Sequence, residues 1–199
     1  MIRLVSGVSG SGKTSMCATL EEDLESNSVA RGGILSLAVF EGGYKVAITA
    51  RNLAAGRTSP ASTIARVIPG RQADTFRGNT PLPDYSRYGP DAFSYGKWIF
   101  DRIKLGEFDA YASDFIHAYG LAVPSRIISN NAVVIIDEIG PLELDHHCGF
   151  IRTLDALDEH ARLGQDTSLE CIVTARPDIA RRLAMRWPGS TQFTDWTPR

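Results

Sequence analysis

Apolar residues gather at the N-terminus as Ile2, Leu4 and Val5, a short run that passes straight into a glycine-rich turn. From Lys13 to Glu25 the period changes, with Met16, Leu20 and Leu24 on one helical face, so strand, loop and helix form the opening unit. Two further apolar runs, Ile34 to Phe40 and Val46 to Thr49, flank Glu41-Gly42-Gly43-Tyr44. A Gly-Gly pair can adopt the positive φ angles of a tight turn, so an antiparallel hairpin is expected after the first helix. From Arg57 to Pro90 the pattern dissolves into Pro, Gly, Ser and Arg, predicting an irregular segment. Residues 94 to 119 regain aromatic and apolar character and predict one or two helices. Ala132 to Ile136 is continuous and β-branched, as in a strand buried on both faces of a parallel sheet. Phe150, Ile151, Leu154 and Leu157 follow helical spacing, Cys171 to Val173 make another buried strand, and Asp178 to Arg186 reads as a final helix. Alternating strands and helices indicate an α/β protein, here a single domain over residues 1–199.

Composition narrows the function classes. A net charge of -2 and a pI near 6.1 give no general reason for nucleic-acid or anionic-membrane binding. Cys17, Cys148 and Cys171 have unrelated spacings, which argues against a disulfide framework and for a reducing, cytoplasmic setting. No apolar run approaches the ~20 residues that span a bilayer, and no cleavable signal pattern is present.

The first glycine-rich turn carries the chemistry. Gly7-Val8-Ser9-Gly10-Ser11-Gly12-Lys13-Thr14 matches the GxxxxGK[ST] pattern of a P-loop, or Walker A motif, between a strand and a helix. Its glycines let successive backbone N–H groups, with the positive end of the helix dipole, wrap an anion. Lys13 is expected to bridge the β- and γ-phosphates of a nucleoside triphosphate, Thr14 to ligate Mg²⁺, and Ser15 to complete the nucleotide contacts. The bland reading is a glycine-rich turn with a solvated lysine. The pattern predicts a three-layer P-loop NTPase fold, a mostly parallel sheet with helices on both faces.

The run Ala132 to Ile136 ends in Asp137-Glu138, the form of a Walker B strand. Beside a cradle, Asp137 would hold the Mg²⁺ shell, and Glu138 would orient or deprotonate the attacking water. The Gly140 N–H is expected to face the γ-phosphate. An apolar strand ending in acidic residues is weak evidence alone, since every strand ends in a polar loop; the cradle upstream gives it weight.

With both motifs in place, the chain resembles the THEP1-type nucleoside triphosphatases of the RecA-like division. The resemblance rests on the cradle, on Gly32-Gly33, on Glu41-Gly42-Gly43 with its following strand, and above all on Asp137-Glu138-Ile139-Gly140-Pro141-Leu142-Glu143-Leu144. It covers most of residues 1 to 60 and 130 to 175 and implies Mg²⁺-dependent hydrolysis of nucleoside triphosphates with broad base tolerance. The chain departs from the family at Ser36, Leu37 and Ala38, and in the connection from Arg57 to Pro90.

Other residues admit two readings each. Arg176, after Thr174-Ala175, is set to reach γ-phosphate charge as an arginine finger or to cap the sheet from the surface. Arg57, Arg66, Arg71, Arg77 and Arg87 either close over a nucleotide or engage an anionic partner, with the 57–90 segment as a docking surface for a protein, or are solvated loop residues. Phe93, Trp98 and Phe100 either stack on a base or pack against the sheet. His146, His147 and Cys148 are adjacent, but consecutive residues point in different directions and lack a fourth zinc ligand. Two alternatives to a triphosphatase remain: a P-loop kinase, with Arg181, Arg182 and Arg186 late in the chain, and a nucleotide-switched binding module. No lysine follows an asparagine, so the guanine-reading Asn-Lys-x-Asp motif is absent.

Overall fold

The computed structural model describes residues 1–68, 91–121, 132–164 and 168–197. Strand β1 (Ile2–Ser6) leads through the glycine turn into α1 (Lys13–Ser26), and β2 (Ala30–Glu41) and β3 (Tyr44–Asn52) form the expected hairpin. Gly42 and Gly43 turn it, with φ of 56° and 83°. Then follow β4 (Ser62–Val67), β5 (Ala92–Tyr95), β6 (Trp98–Asp101), α2 (Arg102–Ile116), β7 (Ala132–Ile136), α3 (Pro141–His146), α4 (Ile151–Leu163), β8 (Leu169–Ala175), α5 (Pro177–Arg186) and β9 (Thr191–Asp195).

All the described strands join one sheet in the order β5-β6-β4-β3-β2-β7-β8-β1-β9. It is parallel from β2 through β7, β8 and β1 to β9, and antiparallel from β2 outward to β5. The period-two side-chain alternation sorts the core. Ile2, Leu4, Val134, Ile136, Cys171 and Val173 pack with α2, α4 and α5. Val5, Val133, Ile135 and Ile172 face the other way, toward Cys17 and Leu24 of α1. Each such Leu, Ile or Val contributes about 1.5–3 kcal/mol on burial. A bidentate pair between Arg51 of β3 and the buried Glu21 of α1 ties that helix to the hairpin.

Gly32 and Gly33 are sites of close approach. A Cβ on Gly32 would lie 2.2 Å from the Phe115 ring of α2, and one on Gly33, at φ 103°, would lie 2.0 Å from the Ile135 carbonyl oxygen.

One expectation is corrected and two features were not foreseen. The segment beginning at Arg57 is not irregular throughout, because β4 lies within it, burying Ile64, Ala65 and Val67; residues 69–90 lie outside the described residues. The stretch 94–119 contains a helix, α2, as expected, but residues 92–101 ahead of it form a hairpin that was not foreseen. Phe93, Tyr95, Trp98 and Phe100 suit a strand pair joined by Gly96-Lys97, with Gly96 at φ 57°, so β propensity prevails over aromatic density read as helix. Strand β9 was not foreseen; its residues are mostly exposed, so it lacks the apolar pattern of a buried strand. Among the described residues no helix is long and apolar enough to cross a membrane.

Gly106 lies inside α2, exposed, and a Cβ there would meet nothing within 4 Å. Gly106→Ala should stabilise the protein by about 0.5–1 kcal/mol in urea denaturation. Gly33→Ala should lower the urea midpoint in the same assay.

Candidate active site

The site lies where β1, β7 and β8 end. The Gly7 N–H donates to the Ala175 carbonyl (3.1 Å), fixing the start of the loop against β8. Gly10 and Gly12 have φ of 78° and 87°, and a Cβ on Gly7 would lie 2.5 Å from Ser11 Oγ. Val8, Ser9 and Gly10 are exposed at the rim, and Ser11 is buried with its hydroxyl lacking a hydrogen-bond partner. Lys13 is only 5% exposed, and its Nζ donates to the carbonyls of Gly7 (2.7 Å) and Val8 (3.1 Å). The loop thus curls around its own lysine.

Asp137 follows β7 and is 1% exposed. Its carboxylate accepts the Thr174 hydroxyl (2.9 Å) and the Ser36 N–H (3.3 Å) and is hydrogen-bonded to the Thr14 side chain. Burial raises its pKa above the ordinary value, the Thr14 and Thr174 bonds oppose the shift, and the Glu138 charge adds to it. Among the described residues no cluster of three His, Cys, Asp or Glu could hold a metal. Thr14 and Asp137 are instead a pair of hard oxygen donors, the set suited to a Mg²⁺ that keeps waters and shares phosphate oxygens.

Glu138 is half-exposed between two cations. Its Oε2 lies 3.6 Å from Lys13 Nζ, and its Oε1 lies 3.8 Å from Arg176 Nε. Arg176 caps α5 directly after β8. The three residues expected to act on the γ-phosphate therefore meet.

Gly140 differs from expectation. Its N–H, expected to face the γ-phosphate, donates to Glu143 Oε2 at 2.9 Å, because the N-terminus of α3 is closed by its own third residue.

The remaining candidates lie elsewhere. Arg57 pairs with Glu22 and Glu25 on the exposed side of α1, and Arg66 is exposed on β4; Arg71, Arg77 and Arg87 lie outside the described residues. Phe93 stacks on Phe100 at 5.3 Å, and Trp98 lies under Lys45 at 5.4 Å, so these aromatics pack the antiparallel wing. His146 leans on Tyr95 at 4.7 Å, and Cys148 Sγ lies 3.9 Å from Arg102 Nη1. Arg182 and Arg186 are paired to Asp145 and Asp158, linking α5 to α3 and α4.

Sequence reasoning missed four contributors. Ser36 and Thr174 hold Asp137; a threonine in a buried strand was the available signal for the latter. Lys45 has its pKa lowered chiefly by burial, with Glu138 and Asp137 pulling it back up, so it lies within the field of both carboxylates. Trp196, past the last foreseen element, donates its indole N–H to the Ser11 carbonyl (2.9 Å) and its backbone N–H to that of Ser6 (2.6 Å). With Ser11, Gly12, Ser15, Met16 and Leu20 it borders a cavity of about 610 Å³ adjoining the cradle.

No protein-family model matches the chain. Over 155 residues it is 29% identical to the nucleoside-triphosphatase THEP1 of Thermofilum pendens, covering 78% of this chain and 66% of the relative. Over 154 residues it is 29% identical to the protein of the same name from Methanothermobacter thermautotrophicus, covering 76% and 67%. The chain is thus similar to THEP1 nucleoside triphosphatases over about three quarters of its length. It spans about two thirds of the length of these curated relatives. The crystal structure of THEP1 from Aquifex aeolicus superposes with a TM-score of 0.61 at 15% identity, covering 100% of this chain and 91% of that one. The solution structure of a human cancer-related nucleoside triphosphatase gives 0.61 at 18% identity, covering 98% and 87%. These likenesses establish the shared P-loop NTPase fold.

Thr174→Val tests the support of the acidic strand end. It removes a hydroxyl from a buried carboxylate and should cost about 1–3 kcal/mol in urea denaturation. A loss within about 0.3 kcal/mol would remove Thr174 from that role.

Proposed function

We propose that this chain is a THEP1-type, Mg²⁺-dependent nucleoside triphosphatase that hydrolyses the β-γ phosphoanhydride, with broad base tolerance, in the cytoplasm. The observation that carries the reading is Glu138, held 3.6 Å from the cradle lysine and 3.8 Å from Arg176. A carboxylate there lies beside the groups that bind the γ-phosphate and can accept the proton of an in-line water. The water oxygen bonds to the γ-phosphorus, the bond to the β-γ bridging oxygen breaks, and the water proton passes to Glu138. Lys13 and Arg176 offset charge on the transferring phosphoryl group, and the unpartnered Ser11 hydroxyl is a further donor for phosphate oxygen. A Mg²⁺ held by Thr14 and Asp137 would neutralise charge on the β- and γ-oxygens.

The cavity beside Ser11, Gly12 and Ser15 offers room for the nucleoside half, with Trp196 and Met16 as apolar surfaces. Such contacts tolerate any base, since every base has a π-face. Three free cysteines accord with a reducing compartment. The pairing of Arg182 and Arg186 with Asp145 and Asp158 weighs against using those arginines as a kinase lid.

Phosphate release from ATP, GTP, CTP and UTP tests the reading. Glu138→Gln should lower kcat by about 10²–10⁴-fold with nucleotide affinity within about threefold, and chelation of Mg²⁺ should stop turnover. Undiminished turnover in Glu138→Gln, or phosphate found on an acceptor instead of in water, would overturn it. Trp196→Ala should weaken ATP binding about 3–10-fold by calorimetry, as expected for losing a contact of ~1 kcal/mol, while inorganic tripolyphosphate binds as before. Equal losses for both ligands would remove Trp196 from the base site.

A further inference from the structure

The segment from Glu138 to Phe150 leaves the sheet, turns through α3 and returns to start α4. At its centre is a buried carboxylate with no part in the chemistry proposed above. Glu143 is 4% exposed. Its Oε2 accepts the Gly140 N–H at 2.9 Å, and its Oε1 accepts the Phe150 N–H at 3.1 Å. One side chain thus joins the two ends of the segment.

We infer that Glu143 is a positioning residue: its carboxylate clasps Gly140 to Phe150 and thereby holds Glu138 where it faces Lys13 and Arg176. The inference rests on the hydrolytic reading of Glu138.

The surroundings are built around this clasp. Gly149, at φ 81°, has no side chain because a Cβ would lie 2.1 Å from Glu143 Oε1. The Cys148 N–H donates to the Leu142 carbonyl at 3.1 Å, closing the turn behind it. On the far side, Asp109 of α2 accepts the N–H groups of Arg152 and Thr153 at 2.9 and 2.8 Å, anchoring the start of α4 to the core. On the near side, the Ile139 N–H donates to the Thr174 carbonyl at 3.0 Å. Glu138 therefore hangs between a fixed strand on one side and Glu143 on the other. With the clasp removed, two N–H groups in a largely dry environment lose their acceptor, and the loop that carries Glu138 must rearrange to satisfy them.

Both donors are N–H groups, so the clasp requires two accepting oxygens, which is the ionised carboxylate. Among the described residues, the charged group set against Glu143 is Asp109, which adds to the upward shift, and the hydrogen bonds Glu143 accepts come from backbone N–H groups. Burial, opposed by the N–H groups of Gly140 and Phe150, raises its pKa from an ordinary 4.5 to about 7. Because the folded value exceeds the unfolded one, the fold loses stability as pH rises from about 4.5 to about 7. The clasp forms as pH rises through about 7, at the top of that window. Stability and turnover should therefore move in opposite directions with pH.

Glu143→Gln presents one oxygen and one NH₂ to two N–H donors and cannot complete the clasp. The expected result is a kcat about tenfold below wild type at pH 8, with the KM for ATP changed less than about twofold. The acid limb of the wild-type kcat profile near pH 7 should be missing in the variant. Equal kcat values and superimposable profiles from pH 5.5 to 9 would overturn the inference. A second measurement needs neither turnover nor a variant. In ¹⁵N-labelled wild type, the Gly140 and Phe150 amide shifts should titrate together near pH 7, and shifts flat from pH 5.5 to 9 would overturn the clasp. Wild type without turnover would count against the hydrolytic reading, and the amide titration would still decide whether Glu143 holds the segment.

Discussion

Asp137 is almost wholly withdrawn from water, and its oxygens are satisfied by the Thr14 and Thr174 side chains and the Ser36 N–H. Those partners come from α1, β8 and β2, the elements that surround β7. A buried carboxylate with fewer partners would be driven to protonate, since burial already raises its pKa. Hydrogen bonding of this one group thus constrains how the glycine loop, the hairpin and the parallel strands meet. The close contact of Gly33 with Ile135 and the Arg51–Glu21 pair keep β2 and α1 in that register.

Glu138, next in sequence, is under a different constraint. It is half-exposed and surrounded by positive charge from Lys13 and Arg176, with Lys45 contributing at longer range. The chain therefore sets a dry carboxylate beside a wet one, as the proposed division of labour between a metal ligand and a proton acceptor requires. Glu143 extends the pattern to a third carboxylate, whose work is to hold backbone.

The cradle and the acidic strand end were legible in the sequence because their chemistry demands particular residues at short spacing. Gly7 to Thr14 and Asp137-Glu138 are each contiguous, so a local pattern carries them. The hairpin turned by Gly42-Gly43 was legible for the same reason. What escaped depends on distant partners. Ser36 and Thr174 matter only because β2 and β8 flank β7, and Trp196 only because β9 runs beside β1. The 92–101 hairpin was hidden by its aromatic density, which suits either an amphipathic helix or a strand pair; only the Gly96-Lys97 turn separates the two. The Gly140 N–H was assigned to a phosphate because a local reading could not see that Glu143 folds back to claim it.

On the proposed reading, Glu138, facing the cradle lysine and Arg176, makes a triphosphate-binding fold into a hydrolase. Turnover of ATP in H₂¹⁸O, followed by mass spectrometry of both products, tests it most directly. Attack of water at the γ-phosphorus puts one ¹⁸O in the released phosphate and none in the diphosphate. Label in the diphosphate, or no labelled phosphate after many equivalents of ATP, would contradict it.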